Sequence, residues 1–117
     1  MRESTISPVR SLCCSPVLSG ALLGPLEAEQ LAAALKVLAD PVRLRLLGLI
    51  RSAPQGRALT RDLVGSLDVS QPTISHHLGV LFDAGFVERE RDGRETWYSI
   101  EPDSFTTICQ LLDPDEP

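Results

Sequence analysis

Val69-Ser70-Gln71-Pro72-Thr73-Ile74-Ser75-His76-His77-Leu78 is the stretch on which the fold turns. Ser70 is an N-cap residue type and Pro72 suits a first helical turn, so a helix is expected from Gln71 to about Ala84. Ile74, Leu78 and Leu81 recur at spacings of four and three and form its apolar stripe. Gly85 closes it, as a glycine commonly does at a helix C-terminus. Immediately upstream, Thr60 is a good N-cap for a short helix over Arg61–Leu67, with Leu59 and Val64 placed as a hydrophobic staple. Asp68-Val69 is the tight connection between the two helices.

Further out, the period changes on one side and persists on the other. Downstream, Phe86–Arg91 and Arg94–Ile100 alternate apolar and polar residues around Asp92-Gly93, a two-residue hairpin signal. Pro102 and Asp103 then open a last helix with Phe105, Ile108, Leu111 and Leu112 on one side. Upstream, Leu31, Leu35 and Leu38 mark a helix over Leu26–Ala39. Asp40-Pro41 stops that helix and starts another, with Val42, Leu46, Leu49 and Ile50 inward, which ends at Ser52–Gly56. The order α-α-α-α-β-β-α predicts a mainly α (α+β) chain of winged helix-turn-helix architecture. Residues 1–25, with Pro8, Pro16 and Pro25, read as a flexible N-terminal arm. Residues 26–112 read as the domain and 113–117 as an acidic tail.

Composition limits the function classes. A chain of 117 residues with 43% apolar and 23% charged residues has room for one core and is not of disordered type. No apolar run approaches the roughly 20 residues of a membrane helix, so no membrane partner is expected. The net charge of −5 argues against nucleic acid only until it is divided along the chain. Residues 1–40 carry −1 and residues 101–117 carry −5, whereas residues 41–100 hold eight Arg against seven acids. A DNA-binding face can occupy that middle segment, because binding responds to local potential. The three cysteines are an odd number for a disulfide framework. Leu12–Leu23 is broken by Ser15, Pro16, Ser19 and Gly20, a poor centre for a signal peptide. A cytoplasmic protein with reduced thiols is therefore expected.

In a helix-turn-helix the second helix enters the major groove and its N-terminal residues reach base edges. With Ile74, Leu78 and Leu81 inward, a step of about 100° per residue turns His76, Asp83 and Pro72 outward, with Thr73 and Ser75 on the flanks. Ser70, Gln71, Thr73, Ser75 and His76 are the expected contact set. Arg89, Arg91 and Arg94 suit phosphate or minor-groove contact from the wing, the alternative being a solvated hairpin in which Glu88, Glu90 and Asp92 interleave with them. His77 reads either as a contact or as a half-buried packing residue. One such unit is small for tight recognition, so a homodimer on an inverted repeat of double-stranded DNA is expected. The first and last helices would form its seam.

Leu38-Ala39-Asp40-Pro41-Val42-Arg43-Leu44-Arg45-Leu46-Leu47, Val69–Leu78 and Ala84-Gly85-Phe86-Val87 together resemble the ArsR/SmtB family of winged helix-turn-helix repressors over about residues 26–112. The arsenical-responsive branch with an N-terminal Cys-Cys pair is the most similar. The resemblance implies a homodimeric repressor that binds its operator when ligand-free and is released by a metal ion or metalloid. No resident cofactor is required. The thiol pair that some relatives carry near the start of the short third helix is absent from Arg57–Leu63. A zinc site across the last helices would need histidines, and the only two are His76 and His77.

Cys13, Cys14 and Cys109 remain as ligands. Thiolates are soft donors that select thiophilic ions, which points to arsenic(III) or antimony(III) as inducer. Some arsenic-responsive relatives place a third cysteine in the turn after the second helix, where this chain has Arg51–Gly56 and no thiol. Either Cys109 supplies the third sulfur, or two sulfurs suffice for a monosubstituted trivalent arsenical. The other reading of Cys109, between Ile108 and Leu111, is a small buried hydrophobe. A redox or reactive-sulfur switch on the same thiols is the alternative function. An enzyme is not expected, because the histidines sit on the recognition helix and no third orienting group accompanies them.

Overall fold

The computed structural model describes residues 24–113 of the chain. The arm with Cys13 and Cys14, and the acidic tail beyond Asp113, lie outside the described residues. The elements are α1 (Pro25–Leu38), α2 (Pro41–Ser52), a 3₁₀ turn (Pro54–Gly56), β1 (Arg57–Leu59), α3 (Thr60–Ser66), α4 (Gln71–Ala84), β2 (Val87–Asp92), β3 (Glu95–Ile100) and α5 (Pro102–Leu112). The winged helix-turn-helix expected from the sequence is the observed fold. A third strand joins it, because Arg57–Leu59 pairs antiparallel with Trp97–Ser99 to give the sheet order β1-β3-β2.

Local chemistry explains most boundaries. Asp40 is the N-cap of α2, its Oδ1 accepting from the amides of Val42 at 2.9 Å and Arg43 at 3.1 Å, and Pro41 follows at the first helical position. Thr60, expected as a cap, is instead the first residue of α3, and Leu59 stands in the cap position with extended φ −81° and ψ 148°. The pairing of β1 with β3 already holds that backbone extended. Ser70 does occupy the N-cap of α4, but its hydroxyl donates to Thr73 Oγ1 at 3.0 Å and makes no cap bond to the backbone. Gly85 ends α4 at φ 90°, where the Gly85 amide donates to Phe82 O and the Phe86 amide to Leu81 O, both at 3.0 Å. That is the Schellman arrangement, which needs a left-handed residue at this point.

The hairpin turn lies one residue further on than the sequence suggests. Asp92 pairs with Glu95, so the two-residue loop is Gly93-Arg94, with Gly93 at φ 64°. In this register Val87, opposite Ile100, and Tyr98, opposite Arg89, share the buried face of the hairpin, and a slip of one residue would turn one strand's set to solvent. The core is built from Leu46, Ile50, Ile74, Leu78, Leu81 and Phe86, each with no exposed surface, joined by Leu63 and Leu111. On α5, Ile108 and Leu111 are buried, and Phe105 packs half-buried against Phe86 with ring centroids 5.1 Å apart. Leu112, expected inward, is 39% exposed. Among the described residues, no helix is long and apolar enough to cross a membrane.

Candidate nucleic-acid interface

The stripe Ile74-Leu78-Leu81 is fully buried, and this sets the opposite face of α4 outward. Ser70, Gln71, Thr73, Ser75 and His76 are all exposed on it. The first turn of α4 has no side-chain cap, so its amides remain available in the way helix N-termini present them to phosphate. A cleft of about 540 Å³ runs from this helix start to the wing, lined by residues that include Thr60, Arg61, Gln71, Ser75, Arg94 and Thr96. Three of the residues expected from sequence therefore meet in one cleft: Gln71 and Ser75 from α4, and Arg94 from the wing tip.

The wing arginines separate. Arg91 and Arg94 are exposed at its tip, where Arg91 Nε donates to Gly93 O at 3.3 Å. Arg89 stands apart, half-buried at the base of the wing, with its guanidinium 4.0 Å from the centroid of the Phe82 ring. It braces the wing against α4 by a cation–π contact. Arg61 was not anticipated from sequence. It is the second residue of α3, is exposed, and lies 3.7 Å from Glu95 across the cleft. Its only sequence signal was its position in the first turn of the helix before the recognition helix. Arg57 is engaged elsewhere, stacked 4.1 Å above Trp97 and 4.0 Å from Glu90.

The two histidines have different surroundings. His76 is exposed and His77 half-buried, with ring centroids 5.7 Å apart at 57°. Nη1 of Arg43 lies 3.2 Å from Nδ1 of His77, so His77 is held from within the protein. Asp40 sits at the same junction. Its carboxyl pKa is lowered chiefly by the hydrogen bond from the Arg43 amide, against an opposing desolvation, with the charge of Arg43 assisting.

Cys109 is exposed, whereas its neighbours Ile108 and Leu111 are buried. Within one chain, Cys109 therefore does not pack as a small buried hydrophobe. Among the described residues, no three His, Cys, Asp or Glu side chains cluster closely enough to hold an ion.

Fold and surface together define a winged helix-turn-helix DNA-binding regulator. The family model for bacterial regulatory proteins of the arsR family matches residues 40–89. The chain is 34% identical to the arsenical resistance operon repressor of Staphylococcus aureus, over 72% of its own length and 78% of that protein's. It is 36% identical to the probable mercury resistance operon repressor of Streptomyces lividans, over 74% and 70% respectively. A crystal structure of a possible transcriptional regulator for arsenical resistance superposes with a TM-score of 0.61 at 33% identity, covering 68% of this chain and 79% of that one. The chain belongs to the ArsR family, whose members are transcriptional regulators and not enzymes.

Proposed function

We propose that the protein is a cytoplasmic, homodimeric repressor that holds an inverted-repeat operator when ligand-free. Trivalent arsenic or antimony bound to Cys13 and Cys14 releases it. The observation that carries the DNA-binding half is the single cleft that gathers Gln71 and Ser75 of the recognition helix with Arg94 of the wing and Arg61 of α3. The neutral side chains of α4 read base edges, and the arginines on either side contact phosphates.

The sensing half rests on thiol chemistry. Cys13 and Cys14 supply two soft donors, and Cys109, exposed on α5, is accessible as a third. The S. aureus and S. lividans relatives are named for resistance to arsenicals and mercury, both of which favour sulfur ligands. Leu26 on α1 and Leu112 on α5 are 66% and 39% exposed, apolar surface suited to a second copy of the chain. An inducer tying the arm to this seam changes the spacing of the two recognition helices. Such couplings are typically ~1–3 kcal/mol, lowering DNA affinity roughly 5- to 150-fold.

Fluorescence anisotropy on a duplex from the protein's own promoter tests the proposal, with arsenite and a monosubstituted trivalent arsenical titrated in parallel. Release by both, lost for arsenite alone in Cys109→Ser, makes Cys109 the third ligand. Release by the organic form alone makes Cys13 and Cys14 a two-thiol site. Release by neither arsenical, but by peroxide or polysulfide, replaces the metalloid reading with a redox or reactive-sulfur switch.

A further inference from the structure

The Arg43 guanidinium is half-buried, and its nitrogens engage two other helices. Nε donates to the Val37 carbonyl in the last turn of α1 at 2.6 Å, and Nη1 meets Nδ1 of His77 in the second turn of α4 at 3.2 Å. The last carbonyls of a helix have no partner within it. At the end of α1 the amides of Ala39 and Asp40 bond to the carbonyls of Leu35, Lys36 and Leu38, and Arg43 bonds to that of Val37. Arginine has only donors, so Nδ1 of His77 is the acceptor and the ring proton sits on Nε2. Asp40 fixes the base of the strut by capping the amide of Arg43 itself at 3.1 Å.

We infer that Arg43 is a positioning residue for DNA recognition, a strut that sets the orientation of α4 against the end of α1. The planar guanidinium reaches two acceptors in different directions at once, which a lysine ammonium on a flexible stem does not reproduce. His77 follows His76 directly, so fixing its ring fixes the helix that presents Gln71, Thr73, Ser75 and His76 to the groove. The strut also joins the recognition helix to α1, the helix that follows the cysteine-bearing arm. This inference rests on the DNA-binding reading proposed above. Salt-dependent binding of the unaltered protein tests that reading, and the variants below test only the strut.

The experiment compares Arg43→Met, His77→Leu and His77→Asn for affinity to the promoter duplex, salt dependence and thermal midpoint. Arg43→Met and His77→Leu each weaken binding about tenfold or more, and the double variant is little worse than either alone. His77→Asn, which keeps an acceptor near the Nδ1 position, stays within about threefold of wild type. The slope of log affinity against log salt is unchanged in Arg43→Met. If Arg43 instead contacts phosphate, that slope falls by about one and His77→Leu binds normally, which overturns the inference. Equal losses in His77→Asn and His77→Leu also overturn it. Should Arg43→Met lose its cooperative melt, the two His77 variants, which leave Arg43 in place, decide the question.

Discussion

Helix α4 and the two outer helices treat their apolar residues differently. In α4 the stripe Ile74, Leu78 and Leu81 has no exposed surface, whereas α1 leaves Leu26 66% exposed and α5 leaves Leu112 39% exposed. The helix-turn-helix and its wing are completed by packing within the chain, and the outer helices leave apolar surface at the periphery. Side-chain chemistry divides in the same way. Amide, hydroxyl, imidazole and guanidinium groups gather around α4, and all three cysteines lie outside residues 57–100. The part proposed to read DNA thus packs its apolar residues within the chain, and the part proposed to dimerise and sense an inducer depends on surfaces and ligands from elsewhere.

The largest test of this contrast is in stability. Leu78→Ala should cost about 2–5 kcal/mol in urea denaturation, because it opens a cavity in a filled core. Leu112→Ala, measured at monomeric concentrations, should fall within about 0.5 kcal/mol of wild type. Similar losses at both positions would erase the distinction. Next in size is assembly: Leu26→Glu combined with Leu112→Glu should yield a folded monomer in sedimentation velocity. Its operator affinity should be lower by about a hundredfold, since two linked half-sites are no longer engaged together. A variant that still sediments as a dimer would move the seam away from these residues.

A smaller effect sharpens the DNA side. Arg61→Ala and Arg94→Ala should each weaken binding severalfold and reduce the salt slope by about one, as expected for one phosphate contact apiece. Arg89→Ala, which removes the stack on Phe82, should leave that slope unchanged. The smallest effect concerns acid. The pKa of Asp40 is lowered in the folded state, first by the hydrogen bond from the Arg43 amide. Its contribution to stability is therefore fully present above the unfolded value of about 3.9 and is lost as pH falls through the lower folded value. Asp40→Ala should be less stable than wild type by a constant margin from pH 7 to about pH 5, and that margin should shrink below about pH 4 in urea titrations.

Much of α4 could be read from sequence, since its cap position, stripe and terminal glycine all agree. Thr73, Ser75 and His76 followed from that stripe, and Ser70 and Gln71 from their place at the start of the helix. Strand β1 could not be read, because three residues are too few to show alternation and Arg57–Leu59 is a strand only by pairing with β3. The turn lies at Gly93-Arg94 and not at Asp92-Gly93: both dipeptides suit a hairpin and both registers keep Val87 and Tyr98 on one face, so the inward-outward pattern of the sequence does not separate them. Cys109 is exposed because adjacent helical residues point about 100° apart, and Ile108 takes the inward direction. Arg43 went unnoticed as a contact residue because one of its partners lies 34 residues away and the other is a backbone carbonyl.

The division between reading and sensing is tested most directly by replacing both Cys13 and Cys14 with Ser. Anisotropy on the promoter duplex should then be recorded before and after adding arsenite or the monosubstituted arsenical that releases the wild type. The account predicts that the variant binds DNA with wild-type affinity and stays bound when that inducer is added. Release as complete as that of the wild type would contradict it and place the inducer site elsewhere. A variant unable to bind DNA at all would contradict the separation of the two functions.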